Sequence, residues 1–469
     1  MLGFAAQSDP SPNDAMRRHY DAAFRLQAEG RTAEADAEHK LFLAAALERV
    51  ADGRANIGEY GQAAPAYEEA IHLSPRDVAL HIEYAEAALD AEDPVKAKLL
   101  AEEALALLPL AVGTRSDAER RAQAEYVLAR ALWNTGDHKK ALEQYQAAAA
   151  LDPTFDHIYA VGSTYLTLAD KPAAAKIFAR LLAKFGDTAS VRMRLGRAYA
   201  LAADYPEAVR EFKTAVAKDD SLPGLHYSLG AATMQEEGEK GYAEAEAEFR
   251  KELALQPTDT FSYPQLALIA LSRHDYKQAE IDLLRADELE PGNPETALKW
   301  AQLSIETGKI PDTEAALRRA IAETLNPARN HYEIQKAHYQ LGRLLIQDGN
   351  LDEGKQEVAI SERLLALNRL QDEASLSGKS IVQAPLHRTR LARSTEVEEE
   401  RRFEAQIAPA IASSYDNLGV HAAVRDDYST AEACFARAAQ WDPALPGVED
   451  KLARAASMAS TGGNSSSRE

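Results

Sequence analysis

Few residues in this chain have the types and spacing that chemistry requires. Ser377-Gly378-Lys379-Ser380 resembles the end of a phosphate-binding loop, but that loop needs a glycine five residues before Gly378 and a strand to launch it. Glu373 occupies that position, and no strand pattern precedes it, so a solvated linker is expected. His331 and His338 stand two helical turns apart and share a face, yet no carboxylate partner completes a metal site and no H-E-x-x-H occurs. Cys434 is the one cysteine, between Ala431 and Phe435 on an apolar face, which predicts a buried, inert thiol and excludes an intramolecular disulfide. Acidic pairs carry little information when 74 of 469 residues are Asp or Glu. No catalytic constellation, cofactor site or metal site emerges, and the expectation is a protein that is not an enzyme.

Composition narrows the partners. With 53 basic against 74 acidic side chains the formal net charge is −21, which opposes binding to a phosphate backbone, since that binding depends on displaced counterions. Nucleic acid and direct membrane insertion are therefore not expected. Apolar residues at 46% and charged ones at 27% suffice for a core and a solvated surface. The first residues, Met1 to Gln7, have a short apolar stretch and small residues without a basic n-region. A signal-peptide remnant and a plain N-terminus both fit, and the compartment, exported or cytoplasmic, stays open.

The organising feature is a repeat of about 34 residues. An aromatic or small residue, then Ala, then an aromatic or Leu, then Ala, then often Pro recurs: Tyr60-Ala63-Tyr67-Ala70-Pro75, His138-Ala141-Tyr145-Ala148-Pro153, Tyr205-Ala208-Phe212-Ala215, Tyr276-Ala279-Leu283-Ala286-Pro291 and Tyr428-Ala431-Phe435-Ala438-Pro443 are examples. An upstream Leu-Gly-x-x-Tyr pattern accompanies it, as at Leu195-Gly196-x-x-Tyr199 and Val161-Gly162-x-x-Tyr165. Helical spacing places Leu195, Gly196 and Tyr199 on one helix face and Ala208, Phe212 and Ala215 on one face of the next. Small residues let two helix axes approach, Pro ends the second helix, and each unit must stack because it cannot bury its face alone.

The pattern resembles the tetratricopeptide repeat family. That resemblance implies an all-α fold, a right-handed superhelical solenoid of about ten to eleven helix-turn-helix units, acting as a protein-interaction scaffold. The expected organisation is a disordered stretch over 1–14, the repeat array over 15–364, an atypical helical or linker interruption over 365–411, a last unit with a capping helix over 412–458, and a disordered tail over 459–469.

The resemblance also implies that the first helix of each unit lines a concave groove through repeat positions 5, 9 and 12. Those positions carry Tyr126, Arg130 and Trp133, then Tyr159, Met193 with Arg197, Tyr227 with Met234, and Tyr339 with Arg343. Tyrosine beside arginine on an acidic chain suits a protein or peptide partner with acidic groups. A packing role for the same residues fits equally. Position 9 reads Asp52, Glu86, Arg130, Ser163 and Arg197 with no Asn, which departs from family members that clamp C-terminal carboxylates. The stretch His387, Arg388, Arg390 and Arg393, followed by Glu396 and Glu398, reads as a charged hinge. A second reading makes the chain a structural assembly module of a bacterial envelope or secretion complex, working through convex faces or self-association. The sequence leaves oligomeric state undecided.

Overall fold

The computed structural model describes residues 12–109, 113–291, 293–308, 310–322, 331–376 and 394–462. Among them every regular element is a helix, with no strand. In chain order these are α1 (Pro12–Ala28), α2 (Thr32–Asn56), α3 (Tyr60–Leu73), α4 (Val78–Asp90), α5 (Pro94–Leu107), α6 (Arg115–Asn134), α7 (His138–Leu151), α8 (Phe155–Thr167), α9 (Lys171–Phe185), α10 (Ala189–Leu201) and α11 (Tyr205–Lys218). There follow α12 (Leu225–Glu237), α13 (Tyr242–Leu255), α14 (Ser262–Ser272), α15 (Tyr276–Leu289), α16 (Pro294–Thr307), α17 (Ile310–Ala322), α18 (His331–Gln347), α19 (Leu351–Leu376), α20 (Ser394–Val424), α21 (Tyr428–Trp441) and α22 (Val448–Gly462). A short 3₁₀ turn, Gly238–Gly241, lengthens the α12–α13 connection where the sequence carries extra residues.

The helix boundaries follow local chemistry. Helices α3, α5, α7, α13, α15 and α21 each stop two residues before Pro75, Pro109, Pro153, Pro257, Pro291 and Pro443, because proline excludes helical geometry from the residue before it. At the other end, Asp93, Asp170, Asp275 and Asp427 cap α5, α9, α15 and α21, each accepting a backbone N–H three residues on at 2.9–3.1 Å. The residue before each of these caps is held at positive φ: Glu92, Ala169, His274 and Asp426 at 62°, 60°, 58° and 61°. A Cβ makes that conformation costly. Ala169→Gly should therefore raise stability by about 0.5–1 kcal/mol in urea melts, the relief of strain exceeding the entropy added to the unfolded chain.

Each pair from α2/α3 to α20/α21 that matches a repeat packs as an antiparallel hairpin around alanines with no exposed surface, such as Ala97, Ala174, Ala208, Ala279 and Ala431. A phenylalanine from the second helix fills the notch left by a glycine on the first. A Cβ on Gly162 would sit 2.3 Å from the Phe178 ring, and the same contact recurs at Gly196 with Phe212, Gly230 with Phe249 and Gly419 with Phe435. Only glycine permits this approach.

The chain divides into two compact units, Met1–Ala131 with Pro385–Glu469, and Leu132–Ala384. In the first, α20 lies along α2, so residues far apart in sequence meet. Arg49 donates to both carboxylate oxygens of Glu400 at 2.8 and 3.2 Å, and Arg54 donates to Glu404 at 2.6 and 3.1 Å. Arg401 pairs with Glu59 at 2.5 Å, Tyr415 donates to Glu69 at 2.5 Å, and Arg437 also pairs with Glu69. Within the expected interruption, Ser394 onward belongs to this single helix, which continues through Pro409 into the last repeat. Helix α1 begins at Pro12 and α22 runs to Gly462, so both terminal segments expected without structure are helical where described.

In the second unit, first helices run side by side: α8 touches α10, α10 touches α12, α14 touches α16 and α16 touches α18.

Candidate partner-binding face

The candidate site lies on α8, α10 and α12 of the second unit. Phe155 and Tyr159, one turn apart on α8, stack with ring centroids 5.9 Å apart. The Arg194 guanidinium from α10 lies 4.2 Å above Phe155 and 4.8 Å above Tyr159, and donates to Asp156 at 2.5 Å. Tyr159 in turn donates its hydroxyl proton to the Arg194 carbonyl at 3.1 Å, locking the two helices together.

Arg197 is different. It is exposed, and no hydrogen bond or carboxylate partner occupies its guanidinium among the described residues. It reaches towards the turn at Gly224, where a Cβ would lie 3.6 Å from its Nη2. Although solvent reaches it, the protein packed around it partly desolvates the guanidinium and lowers its pKa, Tyr159 raises it, and the charge of Arg194 lowers it again. A second charge in that place asks for an anion.

The far side of Arg197 is held by an unusual cap. Helix α12 starts after Gly224, which has no side chain to cap it, and Glu252 of α13 supplies the acceptor instead. Its carboxylate, 1% exposed, accepts the backbone N–H of Gly224, His226 and Tyr227 at 2.7, 3.1 and 3.2 Å. This satisfies the orphan donors of the helix start and suits its positive end. Tyr227 leaves α12 just past this cap, 5.5 Å from Phe261, which is 42% exposed. The face thus reads Phe155, Tyr159, Arg194, Arg197, Tyr227, Phe261 across three first helices and the start of a fourth.

Other expected positions behave variously. Met193 and Trp133, each 6% exposed, are packing residues and not groove contacts: Met193 lies under the Gly224 turn and Trp133 meets the tilted His138 ring with centroids 4.3 Å apart. Met234 and Tyr227 lean on the cluster of Ala245, Phe249, Leu266 and Ile269. Tyr339 is exposed, with the Arg343 guanidinium 5.9 Å from its ring. In the first unit Tyr126 is half-buried and Arg130 lies 3.8 Å from Asp90. Its neighbours on that unit's first helices are acidic: Glu48 and Glu83 share a hydrogen bond, and burial first, then their mutual contact, holds the Glu48 carboxyl far above its usual range. Position choice had left out Phe155, Arg194 and Phe261, although Phe155 stands four residues before Tyr159 and Arg194 three before Arg197, on the same helical faces.

A cleft of about 370 Å³ also opens between α15, α16 and α17. Its polar groups are turned on one another: Asp287 accepts from Arg319 at 2.8 and 3.1 Å and from the Trp300 indole at 2.8 Å. His338 donates or accepts across to Glu357 at 2.5 Å, and among the described residues no group of three His, Cys, Asp or Glu could hold a metal. Burial pushes the Cys434 thiol up to about 11, so it is not a nucleophile at neutral pH. Ser377 to Ser380 and His387 to Arg393 lie outside the described residues.

Two family models described as tetratricopeptide repeat match the chain, one over residues 51–112 and 159–223 and the other over 122–155. Over those residues the chain is built of tetratricopeptide repeats. The matched repeats are hairpins of the kind described above, a fold that suggests a protein-interaction scaffold. It is similar to PilF of Pseudomonas aeruginosa, with 19% identity, a TM-score of 0.35, and 46% of this chain and 94% of that one covered. It is similar to a tetratricopeptide repeat protein from Parabacteroides merdae at 14% identity and TM-score 0.40, covering 55% and 98%. Human IFIT1, solved as a dimer with PPP-AAAA, aligns at 16% identity and TM-score 0.37 over 77% and 96%. Likeness at this level bears on neither partner nor activity. No curated protein matches the chain. Among the described residues no helix is long and apolar enough to cross a membrane.

Proposed function

We propose that this tetratricopeptide repeat protein is a non-catalytic scaffold that holds an extended segment of a partner protein along the first helices of its second unit. An acidic group of the partner sits on Arg197, and its apolar side chains lie on Tyr159, Tyr227 and Phe261. The observation that carries this reading is the exposed Arg197 guanidinium without a carboxylate, on a chain with a surplus of 21 negative charges. Arg194 plays a supporting part, since Asp156 already neutralises it and the two aromatic rings orient it. A bidentate carboxylate contact at an arginine flanked by aromatics has the geometry of a binding hot spot. Tyr339 and Arg343 offer a second contact of the same kind further along the unit.

The test is selection of peptides from a random display library on the full chain. Enriched peptides should carry Asp or Glu, and Arg197→Glu should weaken their binding by at least about tenfold, the effect of losing one charge-assisted contact of about 1.5–3 kcal/mol. Peptides without acidic residues, or binding unchanged by Arg197→Glu, would remove this site.

One observation favours the second reading, assembly through the outer surface. Ile281 and Leu284 on α15 are 49% and 52% exposed and stand three residues apart on the same side of that second helix.

A further inference from the structure

Among the described residues, His39 is the fully buried ionisable side chain whose polar atoms make no hydrogen bond. His39 of α2 has no exposed surface, and neither ring nitrogen has a hydrogen-bond partner. It stands edge-on to Phe24 of α1, with centroids 5.3 Å apart, beside the aromatic cluster of Tyr20, Phe24 and Phe42. Three residues earlier on the same helix, Asp36 is the nearest anion, and it is already taken. It accepts from Arg425 at 2.8 Å and meets the His421 Nδ1 at 2.6 Å, both from α20.

The groups that face this junction can be named element by element. Helix α1 contributes Tyr20 and His19; α2 contributes Asp36, Lys40 and Glu38, which meets the His19 Nδ1 at 2.6 Å; α3 contributes Glu69, which is engaged by Tyr415 and Arg437; α20 contributes His421 and Arg425; α21 contributes Cys434. A proton added to His39 would have no acceptor in this arrangement and would face the His421 side chain. Burying an unpaired charge is strongly unfavourable, so a charged His39 requires water. Water reaches it only if α2 parts from α1 or from α20.

We propose that His39 is an acid-operated release for the C-terminal helices: its protonation opens the α1–α2–α20 junction and frees α20 and α21 from the first repeat. Burial, and then the nearby His421, lower His39 from 6.5 to about 4, with Asp36 opposing. The sign follows. The folded value lies below the unfolded one, so the stabilisation from a neutral His39 is complete above pH 6.5 and falls as pH drops towards about 4. For a single proton the opening equilibrium rises with falling pH across that window, at a slope that approaches about tenfold per pH unit midway between the two values.

Cys434 reports the opening, because it is half-buried on α21 and is the only thiol in the chain. The experiment follows its reaction with an aromatic disulfide reagent that works in acid, on the full chain from about pH 7 to about pH 5, each rate divided by that of a free cysteine peptide. The expected result is a normalised rate that climbs about 25-fold between about pH 7 and about pH 5 in the wild type and stays flat in His39→Leu and His39→Gln, with helical circular dichroism unchanged. A flat wild-type profile, an equal climb in the variants, or a climb that tracks loss of total helicity overturns the proposal. Should both variants fail to fold, hydrogen exchange of the wild type decides. Exchange of α20 outrunning that of α10 below about pH 6 supports the release, and equal protection overturns it.

Discussion

Glu252→Ala should unfold the sixth repeat well before its neighbours, at a cost of about 3–5 kcal/mol, the usual effect of deleting one side of a buried charged contact. Three backbone donors of α12 lose their acceptor at once, and the segment is too enclosed for water to replace it. His226 adds to the loss. Its Nδ1 meets Glu248 at 2.5 Å and its Nε2 meets the Asp220 carbonyl at 2.8 Å, in a pocket shaped by the same turn. Glu252→Gln keeps one acceptor oxygen and should cost about half as much. Repeat arrays melt by units and not as one, so the measurement is hydrogen exchange across 225–237. Exchange there as slow as in the parent would show that the cap is not what holds α12.

The second large effect concerns the glycine–phenylalanine interlock. Gly196→Ala places a methyl 2.6 Å from the Phe212 ring, which is 1% exposed and has nowhere to move. The overpacking cost of about 1–3 kcal/mol opposes a helix-propensity gain of about 1 kcal/mol, leaving a net loss. Phe212→Ala alone should cost about 3–5 kcal/mol by opening a cavity. Made together, the two should not add. With the ring gone the methyl fits, and Gly196→Ala in the Phe212→Ala background should become stabilising by about 1 kcal/mol. Additive costs in urea melts of the four proteins would mean that the ring and the glycine are not in contact.

What the sequence shows and what it hides separate along physical lines. Proline, aspartate caps, alanine and the glycine–aromatic pair act within about 34 residues, so the hairpins and their boundaries are legible one repeat at a time. The α2–α20 contact is not. Arg49 with Glu400 and Asp36 with His421 are ordinary charged pairs whose partners are more than 350 residues apart, and no periodicity links them. The site is legible in part for a related reason. Helical spacing puts Tyr159, Arg197 and Tyr227 on first-helix faces, but whether a side chain points outwards depends on how far the next hairpin is rotated. That rotation buries Met193 beneath the Gly224 turn and leaves Arg194 and Phe261 outside, though neither occupies an expected position.

The central claim is that the first-helix face of the second unit, and not its second-helix surface, holds the partner. Photo-crosslinking residues placed singly at Arg197, Tyr227 and Phe261, and at Ile281 and Leu284 of α15, test it in cells that carry the native partners. Crosslinked protein from the first three positions and none from the last two is the predicted result. Crosslinks confined to Ile281 and Leu284 would contradict the account and move the working surface to the second helices.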